Sequence, residues 1–304
     1  MLLCRFAFAF VCLFATGCDG SRLLTLGRNP EVEEAPERPH FTLVRRVDEL
    51  VVEDSKSDNP TLTGDLREIY FSSNRGDDGG SDVWFAERAS AGDRFGEPQQ
   101  LAAINTDENE ASPAISLDGG ELWFGAHNDA GIGELDIWVT KRTSRGAEWS
   151  EPTLVPGVNT PEDDIPRPPG FGGRVMPLGS RAMGTGFYAT YLASRVDEAS
   201  DFGAPVLLSE LLVPEESTID AFLSEDGLAL YFNLTPGSGE TKGDLYVARR
   251  LAVTDGFGDP EPLSELNSEG DDRDPWLSPD GKRLFFSSDR DGTLNIYEAV
   301  RSDQ

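Results

Sequence analysis

Cysteine is nearly missing from this sequence. The 304 residues hold three, Cys4, Cys12 and Cys18, and none follows position 18. That excludes a disulfide framework from the bulk of the chain, and with it any zinc site built on paired cysteines. Histidine is as scarce: His40 and His127 are the only two. A histidine-based triad would have to run through His127, and no Gly-x-Ser-x-Gly elbow supplies its nucleophile. Positive charge is also short, with 26 Lys and Arg against 55 Asp and Glu, for a net charge of −29. Such a surface stays soluble, repels nucleic acid and anionic lipid headgroups, and attracts cations and basic partners. No apolar run spans a bilayer, because Phe6 to Phe14 is too short for it.

That run has a different meaning at a chain start. Arg5 precedes it as a short basic region, and Ala15-Thr16-Gly17-Cys18 follows. This tail resembles a bacterial lipoprotein lipobox, with Ala15 where that motif usually has leucine. Residues 1–18 therefore read as a lipoprotein-type signal peptide with Cys18 as the lipidation site; secretion without a lipid is the alternative. After cleavage Cys18 is the last cysteine, which fits an anchor better than a secreted thiol. Residues 19–40, with Gly, Pro and the charged run Glu31 to Arg38, read as a flexible tether. The expected location is the bacterial envelope, lipid-anchored in the inner or outer membrane, with the domain at residues 41–304 in the periplasm or at the cell surface.

The domain is a repeat. Near its end, DPWLSPDGKRLFFSSDRDGTLNIYEAVR (Asp274 to Arg301) reads as three short antiparallel strands, Pro275 to Leu277, Lys282 to Ser288 and Leu294 to Val300. Ser278-Pro279-Asp280-Gly281 makes the first turn, with Pro preset for its second position and Gly for the tight exit. The turn recurs at Ser224 to Gly227 and Ser116 to Gly119, and more weakly at Thr63 to Leu66. The second strand recurs as IYFSSNR, LWFGAHN and LYFNLTP, and the third as DVWFAER, DIWVTKR and DLYVARR. A fourth element repeats as Phe95-Gly-Glu-Pro98, Trp149-Ser-Glu-Pro152, Phe202-Gly-Ala-Pro205 and Phe257-Gly-Asp-Pro260.

The SPDG turn followed by an apolar strand ending in Ser-x-Arg resembles the repeat of the TolB-type, WD-like β-propeller family, over about residues 41–301. The resemblance implies a propeller and a binding role, and names no ligand. The pitch counts the blades. Pro60, Pro113, Pro166, Ala221 and Pro275 follow one another at 53 to 55 residues. One step back from Phe95 lands on Phe41, so a strand over Phe41 to Leu50 completes the blade begun by the last three strands. The expectation is an all-β, five-bladed propeller of four-stranded blades, closed by the N-terminal strand. A sixth blade would need about 50 more residues.

In a propeller the first strands line the central channel. Their entries carry Asp58, Glu110, Asp163, Asp164, Asp220, Asp272 and Asp274, and the second-to-third loops add Asp77, Asp78, Asp129 and Asp291. The expectation is an acidic channel face that binds a cation or a basic segment. No cofactor is expected; calcium at Asp220 and Asp274 is the one candidate ion. Asp82, Asp136 and Asp244, with Asn295, open the third strands and read as structural, with Arg75 and Arg290 as candidate partners. Blade three departs from the pattern. Its turn is Pro169-Gly170-Phe171-Gly172, Ala189 replaces the third-strand Asp, and Arg167, Arg174 and Arg181 appear. Arg167 and Phe171 are its candidate contacts. The reading is a monomeric, non-catalytic envelope lipoprotein. Its partner would be an envelope protein segment or a peptidoglycan-associated component, never nucleic acid, and its membrane contact would be the lipid anchor alone. A carboxylate-dependent glycoside hydrolase and a passive structural lipoprotein are the alternatives.

Overall fold

The computed structural model describes residues 38–76, 80–237 and 242–302. The signal segment, Cys18, most of the tether, Asp77 and Asp78 lie outside the described residues. No helix among those described is long and apolar enough to cross a membrane.

Among the described residues, twenty strands form five separate four-stranded sheets. Blade one holds β2 (Ser57–Leu62), β3 (Glu68–Ser73), β4 (Asp82–Glu87) and β5 (Gln99–Gln100). Blade two holds β6 (Glu110–Ile115), β7 (Glu121–Ala126), β8 (Asp136–Lys141) and β9 (Thr153–Leu154). Blade three holds β10 (Asp164–Pro166), β11 (Val175–Ser180), β12 (Ala189–Ser194) and β13 (Val206–Leu207). Blade four holds β14 (Glu216–Leu223), β15 (Ala229–Pro236), β16 (Asp244–Arg249) and β17 (Glu261–Pro262). Blade five takes β18 (Asp272–Leu277), β19 (Arg283–Ser288) and β20 (Asn295–Arg301) from the C-terminus and β1 (Phe41–Arg46) from the N-terminus. Phe41 pairs with Arg301 and Arg46 with Tyr297, so the ring closes as the pitch requires. Arg38 forks onto Glu265 at 2.6 and 3.0 Å, which ties Arg38 to His40, the end of the expected tether, to the propeller.

The first turns of blades one, two, four and five are built the same way. The hydroxyls of Ser116, Ser224 and Ser278 donate to Asp118, Asp226 and Asp280 at 2.6 Å and accept the N–H of Glu121, Ala229 and Arg283 at 2.9 Å. Thr63 and Asp65 repeat this in blade one. The middle strands are buried on both faces because blades stack face to face, which is why they read as unbroken apolar runs. Trp276 meets Phe222 across one blade boundary and Trp123 meets Phe202 across another.

The recurring aromatic of the fourth element seats an arginine. Arg88, Arg142, Arg195 and Arg250 end the third strands. Their guanidiniums lie 4.2 to 4.7 Å from the ring centroids of Phe95, Trp149, Phe202 and Phe257. Each Nε donates to a carbonyl of its own blade's first turn, Leu66, Gly119, Gly173 or Gly227, at 2.6 to 2.8 Å. One side chain thus ties the third strand, the turn and the outer strand of a blade.

Blades are joined by a hydrogen bond that appears at every boundary. An N–H at the start of each inner strand, or at the third residue in β14, donates to a carbonyl just before the third strand of the preceding blade: Glu110 to Ser81, Asp164 to Leu135, Thr218 to Tyr188, Asp272 to Gly243 and Ser57 to Leu294, at 2.7 to 3.0 Å. The last of these crosses the closure. A chain beginning at Glu53 would lose β1 and the buried Phe41, Val47 and Leu50, a loss on the order of 5 kcal/mol, and would leave β20 as an open edge. We expect it to aggregate or lose its cooperative thermal transition, while a chain beginning at Arg38 melts as the full protein does in calorimetry. An unchanged transition for the shorter chain would show that the ring does not depend on β1.

Candidate functional site

The inner strands share a kink. Asn59, Ser112, Asp220 and Asp274 have φ of 52° to 58°, and each sits where its strand slips register against the next. Such a bulge re-aims the following side chains. Blade three lacks it: Asp164, Ile165 and Pro166 pair in unbroken register with Ser180, Gly179 and Leu178.

Three bulged strands bring Asp58, Asp220 and Asp274 together at the axis, and two arginines lie among them. Arg273 reaches Asp58 at 2.7 Å, Asp274 at 3.5 Å and Asp271 at 3.6 Å. Arg167, from the unbulged blade, is 1 % exposed and crosses the centre. It donates to Asn59 Oδ1 at 2.9 Å and to the Pro275 carbonyl at 3.2 Å, and stands 4.0 Å from Asp274. Asp274 also accepts the N–H of Asn59 at 3.1 Å. With its amide nitrogen facing the acceptors, Asn233 donates to Asp220 at 2.8 Å. Burial, then the Asp274 charge, push the Asp220 pKa well above the usual carboxylate range. Burial likewise raises Asp58, against the pull of Arg273. Burial works against the charge of Arg273, but Asp274, Asp58 and Asp271 together hold its pKa above the ordinary arginine value.

The remaining expected acids are elsewhere, so the seven do not form one ring. Glu110, Asp164 and Asp272 are at most 1 % exposed and fold back onto the loops that enter their blades. Each accepts the N–H and hydroxyl of a residue four positions earlier: Thr106, Thr160 and Ser268. The preceding asparagines, Asn105, Asn159 and Asn267, bond both backbone groups of Val83, Ile137 and Leu245. The motif Asn-Thr/Ser with an acid four residues after the hydroxyl is visible in the sequence at a 54-residue pitch; it marks a blade linker rather than a ligand site. Asp163 binds Arg181 at 2.8 Å and the Tyr188 hydroxyl at 2.9 Å.

Arg290 pairs with Asp272 at 2.6 Å, and Arg75 bonds Ser57 and the Leu50 carbonyl. Both therefore hold first-strand entries and not the third-strand acids expected as their partners. Asp136 accepts the N–H groups of Ile132 and Gly133, and Asp82 accepts from Gln100. Phe171 packs on blade four, beside Gly227 and away from the axis. His127 bonds the Glu134 carbonyl. The charge that would draw calcium to Asp220 and Asp274 is met by Arg167 and Arg273. Among the described residues no group of three or more His, Cys, Asp or Glu side chains is arranged to hold a metal ion.

The chain is similar in fold to several solved propellers. It superposes on an endo-arabinase from Bacteroides thetaiotaomicron with a TM-score of 0.58 at 13% identity, covering 88% of this chain and 99% of that one. A family 117 glycoside hydrolase from Zobellia galactanivorans gives a TM-score of 0.53 at 13% identity, covering 86% and 90%. TolB from Acinetobacter baumannii gives 0.51 at 16% identity, covering 84% of this chain; the chain spans 56% of that protein. No family model matches the sequence. No curated protein matches it either.

The cluster makes two expectations. A group whose folded pKa is raised adds stability below its unfolded pKa and loses it as pH rises through the folded value. Asp220 is such a group, so Asp220→Asn, which keeps the shape and stays neutral, should raise the neutral-pH melting midpoint by ~2–4 °C. It should also flatten the fall in stability above the ordinary aspartate range; a variant that melts lower at neutral pH, with an unchanged pH profile, would contradict this. Arg167→Met strips buried Asp274 of a neighbouring cation and should cost about 3 kcal/mol. Adding Asp274→Asn should return part of that loss in urea melts, and strictly additive losses would show that the two side chains are not coupled.

Proposed function

We propose that the propeller is a non-catalytic binding module whose acidic entry face takes a cationic segment of an envelope protein. What carries this reading is the placement of the unbalanced charge. The axial carboxylates have Arg167 and Arg273 among them, whereas the loops around the entry face carry exposed Asp107, Glu108, Asp129, Glu162, Glu269 and Asp291. Cations there are fewer: Lys56, Arg75, Arg181, Lys242 and Arg290, with Arg46 3.9 Å from Asp291. Arg181 is already engaged by Asp163. Carboxylates grouped on one face sum their fields there, steering a basic partner and raising its association rate.

The same geometry weighs against the glycoside-hydrolase alternative. A retaining pair needs its carboxyl groups about 5 Å apart and an inverting pair about 6.5–9.5 Å, with sugar between. Burial, then the Asp274 charge, raises the Asp220 pKa, and Arg167 stands 4.0 Å from Asp274 at the axis, where a sugar would have to lie. The entry of the chain favours the anchored arrangement. Phe41 starts β1 beside Arg301, at the SPDG-turn end of the blade, and the Ser302 N–H bonds the His40 carbonyl. A lipid on Cys18 would therefore join the propeller at the end opposite the acidic face.

A labelled lysine-rich peptide should bind the protein, with an affinity that falls about tenfold or more between roughly 50 and 300 mM salt. Charge reversal at Asp129, Glu269 and Asp291 should weaken binding about tenfold in fluorescence anisotropy. The same number of reversals at exposed Asp93, Asp201 and Asp259, on third-to-fourth-strand loops at the SPDG-turn end, should leave it nearly unchanged. Equal losses from both triples would mean that only net charge matters and would end this reading.

A further inference from the structure

The boundary between blades three and four departs from its neighbours in two loops at once. The linker into blade four is Leu212-Val213-Pro214-Glu215-Glu216, in place of the Asn-Thr/Ser linkers that enter blades two, three and five. The facing loop of blade three carries Met183, Thr185, Phe187 and Tyr188. Together these segments line a half-open cavity of about 250 Å³ at the entry face. Met183 and Leu212, two of the few large apolar side chains exposed on the molecule, are 42 % and 38 % exposed at its wall. Its frame is fixed: Tyr188 is held by Asp163 through its hydroxyl, by Ser217 through its N–H, and by Arg181 over its ring at 4.3 Å. Acids border it: Glu215 and Glu216 in its wall and Asp163 behind Tyr188.

We infer that this cavity is a specificity pocket for one aliphatic side chain of a cationic peptide, flanked in that peptide by lysine or arginine. The inference rests on the acidic-face reading above and names the feature that would select among basic segments. The cavity is smaller than the roughly 300–1,000 Å³ of small-molecule sites, and so suits a single side chain of a segment laid across the face. Its lining is mostly apolar, so filling it rewards removal of apolar surface from water. Its acidic border sets the sign of the flanking residues, because a neutral or acidic neighbour would leave Glu215 and Glu216 without a partner. Blade three's departure from the repeat then has a recognition role at this loop, while Phe171 packs on blade four and Arg167 is buried at the axis.

The test uses the full chain and three acetylated pentapeptides: Lys-Lys-Leu-Lys-Lys, the same peptide with alanine at its centre, and Ser-Ser-Leu-Ser-Ser. Anisotropy titrations at fixed salt should rank the leucine peptide about tenfold tighter than the alanine peptide, the difference that burying one such side chain allows. The serine-flanked peptide should bind at least about tenfold more weakly than the lysine-flanked one. Met183→Glu with Leu212→Glu should cut the leucine preference to about twofold or less, with binding of the alanine peptide retained. Replacing Leu251 and Val253, exposed apolar residues outside the cavity, should leave the preference intact. Equal binding of the leucine and alanine peptides by wild type would overturn the pocket and leave the acidic-face reading standing. Failure of both lysine peptides to bind would overturn both. Tight binding of the serine-flanked peptide, or displacement of the leucine peptide by a neutral oligosaccharide, would overturn the assignment to a cationic peptide.

Discussion

Everything in this propeller depends on one backbone hydrogen bond made five times, from an N–H in the first residues of an inner strand to the blade before it. A single blade cannot bury its own faces, and its middle strand is apolar on both of them. The blades are therefore stable only when stacked, and the stack leaves no open edge only when it closes on itself. The closing contact is made by Ser57 to Leu294 and by β1 against β20. Both lie far apart in sequence, so the least local contact in the chain holds the ring shut. Phe41, the first residue of β1, is buried.

Closing five blades brings inner strands together at the axis, and this chain fills that space with charge. Asp58, Asp220 and Asp274 converge because the bulges at Asn59, Asp220 and Asp274 re-aim their strands. Left alone, three buried carboxylates would not all stay ionised. Two devices answer this. Arg273 and Arg167 supply positive charge, and Asp220 gives up acidity. Arg167 comes from the one blade without a bulge, so the irregular blade places the cation that the regular blades need.

The ring was legible in the sequence because pitch is a one-dimensional property. Pro60 to Pro275 and Phe95 to Phe257 count the blades, and the unpaired step back to Phe41 identifies the closing strand. The axial acids were legible only in part. Asp58, Asp220 and Asp274 converge, but Glu110, Asp164 and Asp272, equally acidic and one or two residues away in register, point into linkers. In a bulged strand the side-chain direction changes within one residue, so position alone does not say which acids face the axis. The signal that separates them is the hydroxyl four residues earlier, at Thr106, Thr160 and Ser268. Arg167 carried no such signal, because its partners Asn59 and Pro275 belong to blades one and five and meet it only when the ring is closed.

The partition of charge follows from the same closure. Burial obliges the axial acids to be balanced inside the protein, and the Asn-Thr/Ser linkers bind their own acids to backbone, so neither set is available to a partner at modest cost. The acids exposed to water on this face are those on loop tips, such as Glu108, Asp129 and Glu269. These three share one face because both the inner-strand entries and the second-to-third loops lie there, while other exposed acids, such as Asp93, Asp201 and Asp259, lie at the opposite end. On that face the boundary of blades three and four pairs acids with a half-open, mostly apolar cavity. Charge there can draw a partner in, and shape can choose it.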